Sequence, residues 1–139
     1  MCSRRDYRRT GESLLGTPCL EYPEGLLPSS DNPGEITSFY VGVFPEGQGV
    51  QLGDGASEPM TPSLTAAFEE ARHLVPDPLP KPLPQSCCSG GYAITLDYSN
   101  GEHAFYGPCD LPAPMDTVLR LIWDAYLANR SWLSPTTTG

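Results

Sequence analysis

Tyr92-Ala-Ile-Thr-Leu-Asp-Tyr-Ser-Asn-Gly-Glu-His-Ala-Phe-Tyr106 alternates apolar and polar residues on both sides of an Asn-Gly pair. Alternation of this kind argues two half-buried strands. Asn100-Gly101 between them argues a two-residue type I′ turn, which needs φ > 0 at both central positions. A reversal centred there pairs Ser99 with Glu102, Tyr98 with His103, Asp97 with Ala104, Leu96 with Phe105 and Thr95 with Tyr106. The pleat then sorts the side chains by parity. Tyr92, Ile94, Leu96, Tyr98, His103 and Phe105 fall on a core face, with His103 capping it beside Tyr98. Ala93, Thr95, Asp97, Ser99, Glu102, Ala104 and Tyr106 fall on a solvated one.

Pro108 cannot donate to a ladder and stops the second strand, and Leu111-Pro-Ala-Pro-Met115 leads into a helix. Met115, Val118, Leu119, Ile122, Ala125 and Tyr126 recur at helical spacing, widened by Trp123 and Leu127. Asp116 and Arg120 stand one turn apart on the exposed side and can pair.

Upstream, Glu35-Ile-Thr-Ser-Phe-Tyr-Val-Gly-Val-Phe44 has the β-branched and aromatic content of a buried strand. Pro45-Glu-Gly-Gln-Gly49 is a turn, and Val50-Gln-Leu52 returns as a short partner. Thr61 is an N-cap with Pro62 at the first helical position. Leu64, Ala67, Phe68, Ala71, Leu74 and Val75 then make an apolar face that ends before Pro76. The order strand, strand, helix therefore occurs twice. Either hairpin alone would be marginal, so the expected fold is α+β, with two ββα units building one four-stranded antiparallel sheet and both helices packed on one face.

The domain expected from these elements spans 35–134, with a first unit over 35–75 and a second over 92–130. Residues 1–34 mix Arg, Gly, Ser, Pro and Glu without a sustained period and read as an irregular arm. The connection 76–91 holds Pro76-Asp-Pro-Leu-Pro-Lys-Pro-Leu-Pro84, proline at every second position, and reads as a stiff spacer near polyproline II. It lacks the P-x-x-P spacing that proline-binding domains take. Residues 131–139 read as a tail.

The formal net charge of −9 conceals an asymmetry. Arg4, Arg5, Arg8 and Arg9 crowd the first nine residues, and the body beyond them is strongly acidic. Such a body repels phosphates, which argues against direct nucleic-acid binding through it. The arginine arm and the Glu69-Glu70 pair are the candidate partner contacts, each also readable as a solvated surface.

Five cysteines cannot all pair within one chain. Cys87, Cys88 and Cys109 gather at the open end of the hairpin, where a disulfide from Cys109 to Cys87 or Cys88 is conceivable, worth roughly 3 kcal/mol for a loop of about 20 residues. Only Leu14-Leu15 is apolar after the N-terminal arginines, and no run approaches a membrane span. Free thiols in a reducing cytoplasm are the resulting expectation, replaced by secretion if the chain is a processed mature form.

No catalytic, cofactor or metal signature is present. The two histidines lie far from the cysteine cluster, and no C-x-x-C occurs. About 20 Å of strand separates His103 from Cys109, too far for a Cys–His dyad. His73 follows Glu69 by four residues near a helix C-terminus, where the dipole favours a cation. The Gly47-Gln-Gly49 and Gly53-Asp-Gly55 runs match no phosphate loop, and no serine nucleophile elbow exists.

Tyr92 to Met115, with its hairpin, Tyr106-Gly-Pro-Cys109 and following Leu-Pro and helix, resembles small uncharacterised actinobacterial proteins over about a sixth of the chain. The resemblance implies a bacterial or phage origin and no site residues. Such proteins often look secreted, which the N-terminus here does not support.

The functional expectation is a small acidic, non-enzymatic module that binds a basic partner protein, with no cofactor. Three other readings remain open. One is an inhibitor of a nucleic-acid-binding enzyme, of the phage anti-defence kind, using carboxylates as a nucleic-acid mimic. The others are a redox or metal site at Cys87, Cys88 and Cys109, and a minor structural subunit of a larger assembly.

Overall fold

The computed structural model describes Tyr22, residues 24–85 and residues 90–138, with side chains as far as Asn129. In chain order the elements are β1 (Ile36–Phe44), β2 (Gln48–Gly53), α1 (Pro62–Leu74), β3 (Gly91–Tyr98), β4 (His103–Tyr106) and α2 (Met115–Thr138). The four strands form one antiparallel sheet in the order β2-β1-β3-β4. The two hairpins thus join along their first strands, β1 to β3, with Val41 opposite Ile94 and Phe39 opposite Leu96.

One face of this sheet carries the core. Phe39 and Val41 of β1, Val50 and Leu52 of β2, and Ile94 and Leu96 of β3 are fully buried on it. Leu64, Phe68 and Ala71 of α1 meet them together with Met115, Val118, Leu119 and Ile122 of α2. Phe39 and Phe68 pack edge to face at 5.7 Å, the arrangement aromatic quadrupoles favour.

The opposite face of β1 and β2 is built around glycines. Gly42 stands across from Gly49, and the Tyr40 ring lies over both, with its hydroxyl donating to the Gly47 carbonyl at 3.1 Å. A Cβ on either glycine would meet that ring. The aromatic side chain restores the packing that the paired glycines omit.

The helix ends follow the sequence signals. Thr61 is extended (φ −72°, ψ 167°) and its hydroxyl accepts from the Leu64 amide at 3.2 Å, with Pro62 following where a missing N–H costs nothing. The same hydroxyl reaches Asn129 of α2 at 3.2 Å. Val75 ends α1 ahead of Pro76. Helix α2 continues to Thr138, through the residues expected to be tail. Asp116 does not pair with Arg120; its carboxylate accepts from the Thr117 amide at 2.8 Å.

The second hairpin closes one residue away from the expected register. Asp97 pairs with His103, Leu96 with Ala104, Thr95 with Phe105 and Ile94 with Tyr106. The loop has three residues, Ser99-Asn100-Gly101, closed by Tyr98 N–H to Glu102 O and Gly101 N–H to Tyr98 O, both 2.9 Å. Of the three only Gly101 takes positive φ, at +93°, and no non-glycine residue among the described residues does. This is the longer turn with a left-handed third residue rather than type I′.

A one-residue slip inverts every side chain of the strand that slips. Ala104 and Tyr106 are therefore buried in the core, while His103 and Phe105 lie on the other face. The parity expected for β3 holds at Ile94, Leu96 and Tyr98, all buried, whereas Tyr92 at the strand's start is 40% exposed and packs edge-on against Trp123 at 5.1 Å.

The proline connection is a strap rather than a free spacer. Leu79 packs against the core, and the Tyr106 hydroxyl donates to the Pro80 carbonyl at 2.6 Å. Gln85, only 2% exposed, satisfies its whole amide. Its nitrogen donates to the Leu83 and Asp110 carbonyls, and its oxygen accepts from the Cys109 and Asp110 amides at 2.6 and 3.1 Å.

Candidate functional site

Residues 24–34, part of the arm expected to be irregular, are fastened together with Glu35 to the β3–β4 hairpin by backbone and carboxylate bonds. Leu26 exchanges two backbone hydrogen bonds with Phe105 (2.9 and 2.8 Å), bridging the outer edge of β4. At the hairpin tip the Ser99 and Asn100 amides donate to the Glu35 and Pro33 carbonyls at 2.8 and 3.1 Å. Gly34 sits between them at φ +96°, and a Cβ there would strike the Ser99 hydroxyl.

Glu102 completes the attachment. Its carboxylate accepts from the Ser29 hydroxyl and amide, from the Ser30 amide at 3.0 Å and from the Asn100 side chain at 3.0 Å. The Ser29 hydroxyl bond above all, with the Asn100 and Ser30 bonds, draws its pKa down from 4.5 to about 2.

Behind this clasp lies a cleft of about 460 Å³ between residues 27–36 on one side and Arg72 with residues 75–79 on the other. The volume is in the range of ligand sites. Tyr98 forms part of its lining, and burial in the first place, then the nearby Asp77 carboxylate, raises the pKa of its phenol. Arg72 reaches Glu35 at 2.7 Å and Glu69 at 3.4 Å, and stacks over Phe68 at 5.5 Å.

A second polar arrangement crosses all four strands on the face away from the helices. Gln51 of β2 donates to the Ser38 hydroxyl at 3.4 Å, Ser38 of β1 donates to Asp97 at 2.6 Å, and Asp97 of β3 meets His103 Nδ1 of β4 at 2.6 Å. Serine, aspartate and histidine are the residues of a hydrolytic triad, but the order is wrong for one. The aspartate stands between the other two, so the imidazole is not placed to take the serine proton. Ser38 is only 2% exposed as well. The row acts as a cross-strand tie.

The remaining candidates are dispersed. Glu69 pairs weakly with Arg72, and its backbone carbonyl lies 2.8 Å from His73 Nδ1. Glu70 is exposed on α1 and makes no contact with the cleft. Arg4, Arg5, Arg8, Arg9, Cys87 and Cys88 lie outside the described residues. Cys109 is disulfide-bonded rather than a free thiol. Its partner is among the other cysteines, all outside the described residues. No group of three His, Cys, Asp or Glu among the described residues could hold a metal ion. No helix among them is long and apolar enough to cross a membrane.

Sequence reasoning missed the cleft and the clasp. The cleft's walls come from two segments that carry no period, and the only local signal was the unusual density of proline. Compared with protein-family models, curated proteins and solved structures, the chain matches none.

Proposed function

We propose that the protein is a small acidic, non-enzymatic module that docks on a basic surface of a partner protein. One observation carries this reading. Of the 17 acidic residues only Asp6, Glu12 and Glu21 lie outside the described set, leaving 14 carboxylates. Against them stand Arg72, Lys81, Arg120 and Arg130, of which Arg72 is already engaged by two carboxylates. Such an imbalance supplies long-range attraction for a basic partner and repels phosphate backbones. The disulfide at Cys109 favours an oxidising compartment over the cytoplasm.

Affinity capture from the source cells, eluted with rising salt, tests the reading. A partner released between about 0.1 M and 1 M salt, as the Debye length shrinks from about 10 to 3 Å, supports it. A partner held through the whole gradient refutes an electrostatic interface.

A further inference from the structure

We infer that the cleft between the 27–36 segment and the proline strap binds the ammonium or guanidinium end of a basic side chain presented by a protein partner. The inference rests on the proposed docking to a basic surface and names the place where that surface is gripped.

The cleft offers one wall of chemistry for the charge and another for the stem. Asp31 lines one side of the cleft and Asp77 the other, both exposed, and neither pairs with a cation among the described residues. Tyr98, 8% exposed, also lines the cleft, and its hydroxyl makes no hydrogen bond among the described residues. A hydroxyl lining the cleft without a protein partner is open to a donor brought by a ligand. Since burial and Asp77 hold the phenol in its neutral form, its oxygen can accept an N–H while the carboxylates balance the charge.

Leu27 and Leu79 supply apolar surface on which the methylenes of a Lys or Arg can lie. An anion is disfavoured, because Arg72, the one cation of the lining, is already held by Glu35 and Glu69. A bound metal is disfavoured by the lack of any three-ligand group among the described residues.

The walls are also stiff before anything binds. Pro28 and Pro33 stand on one side and Pro76 and Pro78 on the other, each with φ restricted by its ring. Glu102 anchors the first wall through Ser29 and Ser30, and the Tyr106–Pro80 bond anchors the second. Little ordering is left to oppose binding.

The test titrates the isotopically labelled full chain with acetyl-Gly-Arg-Gly-amide, and separately with the same peptide carrying citrulline, the neutral isostere. The arginine peptide is expected to shift amide resonances at Asn32, Asp77, Leu79 and Tyr98 and to bind at least about tenfold tighter than its citrulline counterpart. Asp31→Asn combined with Asp77→Asn, at exposed positions that leave the core intact, should weaken the arginine peptide by a similar factor. Tyr98→Phe should weaken it by a few-fold.

Equal binding of the two peptides, shifts confined to another surface, or no shift at millimolar peptide would each overturn the assignment. The two proposals fail separately. A salt-sensitive partner whose capture survives the double Asp variant leaves the docking reading standing and removes the cleft. Specific arginine-peptide shifts without any captured partner do the reverse.

Discussion

Glu102 is the residue on which the attachment of the 24–35 segment turns. Its ionised form is favoured by the fold, since its pKa falls from 4.5 to about 2 on accepting the Ser29, Asn100 and Ser30 bonds. A depressed carboxyl stabilises the native state above its unfolded pKa and loses that contribution as pH drops toward the folded one. The stability difference between wild type and Glu102→Gln is therefore full above pH 4.5 and disappears toward pH 2. Urea melts of both proteins across that interval measure it, and hydrogen exchange at the Ser29 and Ser30 amides should speed up in the variant at neutral pH. Gly101 offers a second test. A Cβ there meets open space, so Gly101→Ala is expected to cost only the left-handed backbone, about 1 kcal/mol in denaturant melts. Asn100 carries no positive φ and should show no such backbone cost.

At the scale of the elements, the strap and the helices each depend on a buried or half-buried polar anchor. Gln85→Ala would remove the acceptor of the Cys109 and Asp110 amides at a side chain only 2% exposed. A loss of about 2–4 kcal/mol is expected, read as a lower urea midpoint without a change in slope. Thr61→Ala removes both the cap of α1 and its bond to Asn129, at about 1 kcal/mol. The row Gln51–Ser38–Asp97–His103 belongs to this scale too, because each strand of the sheet contributes one member to it.

For the whole molecule, charge and covalent closure decide behaviour. With five cysteines and a bond at Cys109, thiol titration of the unreduced, denatured monomer should find no more than three free thiols, against five after reduction. Five before reduction would remove the bond and the compartment argument with it. The sheet order β2-β1-β3-β4 places both second strands at the edges. The β4 edge is bridged by Leu26, which blunts its pairing with other chains.

The paired ββα layout, the facing of β3 at Ile94, Leu96 and Tyr98, and the helix faces apart from Leu74 and Leu127, which stay exposed, were legible in the residues themselves, because period and capping are local properties. Ile94, Leu96 and Tyr98 alternate with polar neighbours over a full strand, and Thr61-Pro62 announces a helix within one turn. The His103–Tyr106 strand was not legible, since four residues that alternate His-Phe with Ala-Tyr suit either face. Its register was settled by distant groups: the Pro33 and Glu35 carbonyls that take the Asn100 and Ser99 amides, and the Pro80 carbonyl that satisfies the Tyr106 hydroxyl in the interior. The cleft has the same origin. Its two walls are at least 36 residues apart in the chain, from Ile36 to Arg72, and meet only because the sheet brings Ile36 opposite Tyr98.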